Sequence, residues 1–315
     1  MKDKINEFNE FDGVETNNLK NLNDLSDLNN LSILNDLKNL TESNRSDEPQ
    51  AHNECNKLQT NKLYTNESGE PLRNIRLTLE FDGTDFNGWQ VQADKRTVQG
   101  EMERAIKKVT GETLRVNGCS RTDAGVHARG YVMNFYTGSK IPAEKLFYPL
   151  NDKLPFDIRV LDSRETDVAF HARKHSVRKT YSYCILNQEQ RPAIGRQYVH
   201  REKGRLDEVA MQEALSLFKG THDFVAFRST GSSAKTTIRT IFAISLDRAG
   251  NQFTLSVTGD GFLYNMVRIM VGTLLDVGHG TRTPEDVRQA LATGNRLKAG
   301  KVAPAKGLTL EEVEY

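Results

Sequence analysis

The sequence predicts an α+β protein in which mostly antiparallel sheets, flanked by helices, form two similar halves facing each other across a cleft. Three observations carry this expectation. Strand-like and helix-like segments are mixed, and several strand-like segments neighbour one another as hairpins do, which does not fit the strict alternation of a parallel sheet. The chain has 315 residues, enough for a sizeable core and two structural units. A strand followed by an Asp-Gly break also occurs twice with an aromatic residue close by, at Phe81-Asp-Gly83 and Gly259-Asp-Gly-Phe262.

The first seventy residues stand apart. Leu recurs at every third position from Leu19 to Leu40, separated mostly by Asn, Asp, Ser and Lys. A helical turn takes about 3.6 residues, so a period of three slips about 60° per step and winds the leucines around the helix. Asn and Asp also favour turns over helix interiors. Residues 1–70 therefore read as a low-complexity, disordered, acidic extension. A period-three interaction motif is the alternative.

Residues 71–174 form the expected first half. Residues 75–81 alternate as a strand, and 84–90 make a loop carrying the single tryptophan, Trp89. Thr97 caps a helix with Val98, Met102, Ala105, Ile106 and Val109 at helical spacing, stopped by Gly111. Strands are expected at 113–117 and 131–136, with a short helix starting near Pro142. Residues 151–160 read as a loop leading into another strand.

Residues 175–315 form the second half. A strand is expected at 178–186 and a helix at 206–218. Two further strands place Ile238, Phe242, Ile244 and Leu246, then Phe253, Leu255 and Val257, toward the core. Gly259-Asp-Gly261 opens a helix on which Phe262, Met266, Ile269 and Thr273 share a face. Thr283 caps another helix, with Pro284 first and Asp286 third, a carboxylate suited to the helix dipole. A strand over 308–315 closes the chain.

Charge separates the extension from the body. The chain holds 43 Lys and Arg against 42 Asp and Glu; residues 1–70 carry 7 and 14 of these, which leaves 36 and 28 beyond. A net −7 thus precedes a net +8, an asymmetry that points toward nucleic acid. Three widely spaced cysteines, Cys55, Cys119 and Cys184, imply no disulfide framework. No signal peptide or long apolar run is present, so a soluble cytoplasmic protein with no membrane partner is the expectation. There is no Cys-x-x-Cys, no His-Glu-x-x-His and no Gly-x-x-x-x-Gly-Lys, so metal, ATP and disulfide chemistry lack support.

Chemistry is expected around residues 118–130, a charged connection between two strand-like segments. Its carboxylate, Asp123, has Arg121 two residues earlier, which could keep it ionised through a charge-assisted pair. An Asp before Ala-Gly serves equally as a turn or cap residue. Arg268 lies in an otherwise apolar run, where a guanidinium needs a partner; an ordinary structural ion pair or a surface position is the alternative. Tyr181 and Tyr183 share a strand face headed by Arg178 and Lys179, a combination that can stack bases and hold phosphates but is also common in cores. His127 and His171 read as packing or hydrogen-bonding residues.

Seven blocks stand in order between about residue 75 and 315. They begin with Phe81-Asp-Gly-Thr-Asp-Phe-Asn-Gly-Trp-Gln90, Thr97-Val-Gln-Gly100 and Ser120-Arg-Thr-Asp-Ala-Gly-Val-His-Ala128. Phe170-His-Ala-Arg173, Lys179-Thr-Tyr-Ser-Tyr183, Gly261-Phe-Leu-Tyr-Asn-Met-Val-Arg268 and Ala303-Pro-Ala-Lys-Gly-Leu-Thr-Leu310 follow. Together these blocks resemble the TruA family of tRNA pseudouridine synthases; Phe81 and Cys119 depart from its usual pattern, and residues 1–70 have no counterpart. The resemblance implies the pseudouridine synthase fold with a basic cleft, a tRNA partner, a homodimer and no cofactor. It implies isomerisation of uridine at positions 38–40 of the anticodon stem-loop. By the same resemblance Asp123 is the nucleophile, Tyr181 stacks on the uracil, Arg268 pairs with Asp123, and Arg121 fills the space of the extruded base. Thr122, Phe262 and Leu263 are carried over as substrate-binding. A non-catalytic RNA-binding protein on this fold and a hydrolytic N-glycosidase are the competing readings.

Overall fold

The computed structural model describes residues 64–65, 69–231 and 234–315, so the expectation for the extension lies almost wholly outside the described residues. Those described fall within one compact unit, residues 60–315. Strand β1 (Arg73–Phe81) is followed by α1 (Val98–Thr110), β2 (Asn117–Gly118), β3 (His127–Thr137), α2 (Phe147–Lys153) and β4 (Ile158–Thr166). Then come β5 (Arg178–Asn187), β6 (His200–Glu202), α3 (Glu208–Ser216), β7 (Gly220–Asp223), β8 (Ile238–Ala249) and β9 (Gln252–Gly259). Helices α4 (Met266–Gly278) and α5 (Pro284–Thr293) precede the closing strand β10 (Leu308–Glu314).

All these strands join one sheet in the order β4-β1-β3-β10-β5-β9-β8-β7, with β2 beside β3 and β6 beside β5. Pairing is antiparallel except for β10 with β3 and β6 with β5. Strands from residues 71–174 thus lie at one end of the order. The last strand, β10, inserts between β3 and β5 and joins them to the rest, pairing Thr309 with His127 and Tyr181 with Leu310.

Local rules account for much of this. On β1, Ile75, Leu77 and Leu79 are fully buried on one face, and α1 contributes Val98, Met102 and Ile106 at helical spacing. Burying each such side chain contributes roughly 1.5–3 kcal/mol. Thr97 caps α1 by accepting from Gly100 N–H, and the helix ends at Gly111. Thr283 and Asp286 form a reciprocal capping box with Pro284 at the first position of α5. Helix α4 is buried nearly all round, as a helix inside a core should be.

Four expectations need correction. Residues 113–116 are not a strand, and β2 is two residues long. The Glu103 carboxylate on α1 accepts from Val116 N–H at 3.3 Å and so takes the place of a ladder bond. Residues 151–153 belong to α2, and the Asn151 amide, bonded to both N–H and C=O of Val160 at 2.9 Å, acts as a strand neighbour from a helix. On β8, Ile238 (58% exposed) and Phe242 (39%) face outward while Ile241 is buried. A register shift against β9 between Ile241 and Ala243 reverses the inward alternation. Finally, α4 starts at Met266, not at the Asp-Gly pair, because Asn265 adopts a left-handed conformation (φ 60°) and leaves Phe262 in the preceding loop.

Helix α4 meets the segment after α5 at backbone distance. A Cβ on Gly272 would overlap the Lys301 carbonyl, and Gly300 N–H donates to Thr273 Oγ1 at 2.8 Å. Replacing a helix-interior glycine by alanine ordinarily stabilises by about 1 kcal/mol. Here the overlap involves backbone, and the overpacking penalty of about 1–3 kcal/mol should prevail. Gly272→Ala is therefore expected to lower the urea unfolding midpoint; a midpoint at or above wild type would refute the close approach.

Candidate active site

Residues 86–89 brace the Asp123 loop from behind. Gly88 has φ +82°, and a Cβ there would overlap the Thr122 carbonyl, so the two backbones touch where no other residue fits. Trp89 N–H donates to Thr122 O at 3.1 Å, and Gly125 N–H donates to Phe86 O at 3.3 Å. The Trp89 ring stacks on Tyr131 at 4.3 Å, and the Tyr131 hydroxyl donates to the Ser120 carbonyl. The loop is thereby fixed on both sides of Asp123.

Arg268 reaches the same point from the third residue of α4. Its Nη1 is 2.9 Å from Asp123 Oδ2 and 2.8 Å from Asn265 Oδ1, and its Nε donates to the Ala303 carbonyl at 2.7 Å. Ala303 N–H donates in turn to the Arg268 carbonyl at 3.0 Å. The left-handed Asn265 is itself held through Ser229, whose hydroxyl accepts at 2.9 Å. Asp123 and Arg268 side chains are 21% and 17% exposed, so the pair is screened little but still open to a ligand.

Tyr181 comes from β5, buried, with its hydroxyl 3.2 Å from Ser120 Oγ and its ring edge-on to Phe262 at 5.2 Å. These groups line a cleft of about 570 Å³. Of the residues singled out above, Asp123, Tyr181 and Arg268 reach it, and also Arg121, Thr122, Phe262 and Leu263, whereas Tyr183, His127 and His171 are not among its described lining residues. Arg121 is exposed and has no ion partner among the described residues; the Asp123 carboxylate is paired by Arg268 and not by Arg121. The Thr122 hydroxyl is buried without a hydrogen-bond partner. Asp123 is the one carboxylate among the described lining residues, against Arg121, Arg173, Lys179 and Arg268.

The pattern named tRNA pseudouridine synthase matches residues 78–173 and 214–315. A tRNA pseudouridine synthase A of Clostridium acetobutylicum is 51% identical over 244 residues, 78% of this chain and 100% of the relative. A tRNA pseudouridine synthase A 2 of Clostridium perfringens and a tRNA pseudouridine synthase A of Acetivibrio thermocellus are each 49% identical over the same shares. The chain belongs to the tRNA pseudouridine synthase family. Its mixed sheet with flanking helices is the pseudouridine synthase fold.

Within this family frame the electrostatics are directional. Burial raises the Asp123 pKa above the ordinary carboxylate value, while the hydrogen bond and charge of Arg268 oppose it. Burial also raises the Tyr181 phenol, with the Asp123 charge acting in the same sense. His171 is lowered to about 4 by burial and by Lys174 and Arg173, so it stays neutral and accepts from Arg173 N–H through Nδ1. His127 is buried and bonded to Gly83 N–H and the Gln197 carbonyl. Both histidines are hydrogen-bonding residues. Among the described residues no His, Cys, Asp and Glu cluster is placed to hold a metal, and no helix is long and apolar enough to cross a membrane.

Sequence reasoning named Lys179 only as one of two cations heading the Tyr181 strand, and did not single out Arg173, Ser120 or Asn265. Lys179 was findable, since it lies two residues before Tyr181 on a strand and so shares its face. Asn265 was not, because its role depends on a backbone conformation.

Removing Arg268 leaves a mostly buried carboxylate unpaired, at a cost of roughly 3 kcal/mol. Arg268→Met should lower stability by about that amount in denaturant titration. The double variant with Asp123→Asn should recover part of the loss. Additive losses would show that the pair is not coupled.

Proposed function

We propose that this chain isomerises uridine to pseudouridine in tRNA, at positions 38–40 of the anticodon stem-loop, with Asp123 as nucleophile. The observation that carries this reading is a single carboxylate in a cation-lined cleft, oriented by Arg268 at 2.9 Å beside the buried Tyr181. In the isomerisation the N1–C1′ bond breaks, a C5–C1′ bond forms, C5 loses a proton and N1 gains one. No water, oxidant or reductant is consumed. Asp123 attacks either the uracil ring or the ribose carbon, and both routes need an ionised carboxylate. Tyr181 would cover the uracil, and Phe262 and Leu263 would exclude water around it.

A stacked base hides its glycosidic bond, so the nucleotide must be extruded at a cost of a few kcal/mol. The unpaired cations would offset this through phosphate contacts. Arg121, exposed and without an ion partner among the described residues, would enter the vacated space. Hydrolysis as in an N-glycosidase would more naturally use a second carboxylate to activate water, and the described lining residues hold none. The family's homodimer and cytoplasmic location are proposed here on the resemblance alone, with sedimentation of the purified protein as the test of the dimer.

Mapping of treated tRNA separates the readings. Isomerisation leaves the mass unchanged and creates a nucleoside resistant to glycosidic cleavage, hydrolysis leaves an abasic site, and binding alone changes nothing. Asp123→Asn preserves size but removes the nucleophile, so turnover should vanish while tRNA binding and the folded melt persist. A folded, tRNA-binding variant that still forms pseudouridine at the wild-type rate would end the assignment.

The pH dependence follows from the same pair. Arg268 opposes the upward shift that burial imposes on Asp123. Without Arg268 the carboxyl pKa rises further, and the ionised fraction at a given acidic pH falls. The acidic limb of kcat/KM for Arg268→Gln should accordingly move to higher pH than in wild type. An unmoved limb would mean that Asp123 ionisation does not gate the reaction.

A further inference from the structure

Lys179 is a cation that the ion-pair pattern leaves unexplained. Its ammonium has three donors, and one reaches the Cys119 carbonyl at 2.8 Å. No carboxylate pairs with it among the described residues, although it is set into the protein beside Tyr181 and lines the cleft. Holding a cation in such a place without a counter-charge is costly. Such local conflicts concentrate where a ligand resolves them.

Two arginines lie around it, one in the cleft lining and one beside Gly261. Arg173 lines the cleft, exposed, with no ion partner among the described residues. Arg239 on β8 spends Nη1 on the Thr236 and Ile238 carbonyls and lies along Gly261, where a Cβ would stand 3.5 Å from its Nε. The end of β9 separates Lys179 from this arginine: Gly259 pairs with Lys179 on one side and Ile241 on the other. The segment 259–261 has one side chain, Asp260, whose Oδ1 is engaged by Thr240 N–H at 3.0 Å. Burial lowers the Lys179 pKa, and the charges of Arg173 and Arg239 push it the same way. Lys179 and Arg173 thus share the cleft lining, with the strand of Arg239 across the end of β9 from Lys179.

We propose that Lys179, Arg173 and Arg239 form a subsite for one backbone phosphodiester of the RNA, on the Phe262 side of the cleft and adjacent to the extruded nucleotide. A neutral uracil carbonyl would need one donor, whereas convergence of three cations matches a group carrying full negative charge. This rests on the proposed RNA substrate and deepens it, because it assigns which cations grip the chain next to the reacting base and so hold it in the cleft.

The experiment uses the full-length protein and a uridine-containing anticodon stem-loop RNA in which one linkage at a time near the target is an uncharged methylphosphonate. Binding is measured against salt concentration for wild type, Lys179→Gln and Arg239→Gln. One linkage should weaken wild-type binding when neutralised, yet weaken each variant little further. The slope of log affinity against log salt should fall by about 0.7–0.9 for each lost contact. Arg239→Gln, nearer the surface, decides the matter if Lys179→Gln does not fold. Wild-type affinity and salt slope in the variants, or methylphosphonate losses that simply add to the variant losses at every linkage, would overturn the subsite. Pseudouridine formation by wild type on the same RNA is scored in parallel, so loss of the subsite alone is distinguishable from failure of the proposed reaction.

Discussion

The ion pair between Asp123 and Arg268 is the constraint to which the rest of the architecture answers. Its partners are 145 residues apart in sequence and meet at 2.9 Å. Removing two charges from water is compensated only when geometry is good and the remaining donors are satisfied. The structure supplies both conditions. Arg268 is fixed by the Ala303 carbonyl and by Asn265, and Asn265 leaves helical geometry to present its oxygen. The close crossing of Gly272 with Lys301 brings the Ala303 segment against α4. That segment runs directly into β10, the strand that lies between β3 and β5. The pair therefore draws together the loop before β3, the start of α4 and the approach to β10.

The same arrangement serves chemistry that needs a carboxylate and little else. An isomerisation conserves atoms and electrons, so the protein must supply a nucleophile, a shaped surface for the uracil and a means of keeping the nucleotide extruded. Burial makes Asp123 more basic than an ordinary aspartate, and the hydrogen bond and charge of Arg268 oppose that effect. The unpaired cations around it carry a different energetic logic. In the free protein they repel one another, and contact with a polyanion converts that repulsion into attraction.

Much of the fold is legible in the sequence because its signals are local. The cap at Thr97, the capping box at Thr283 and the alternation of β1 each depend on residues within a turn or a strand. Legibility failed where a distant group replaced a local one. Glu103 takes the bond that would have made 113–116 a strand, and the Asn151 amide borrows a strand position from inside a helix. The site was legible to a similar depth: Asp123 and Arg268 stood out as charges in unusual company. Lys179 passed as one of two basic residues at the head of a strand, although its place two residues before Tyr181 puts it on the same face.

By itself the sequence determined the α+β class, most helix limits, family membership through its ordered blocks, and that Asp123, Tyr181 and Arg268 deserved to be sought in one place. These follow from periodicity, capping and residue chemistry, which act over a few residues. Tertiary structure alone decided how Asn265 and Ala303 fix Arg268, which residues of β8 face the core, and how closely α4 meets the segment at Lys301. Each of those depends on a register shift, a left-handed residue or a backbone contact between distant segments. A bulge of one residue reverses every following side chain, and local sequence preference does not record where the opposing strand will lie.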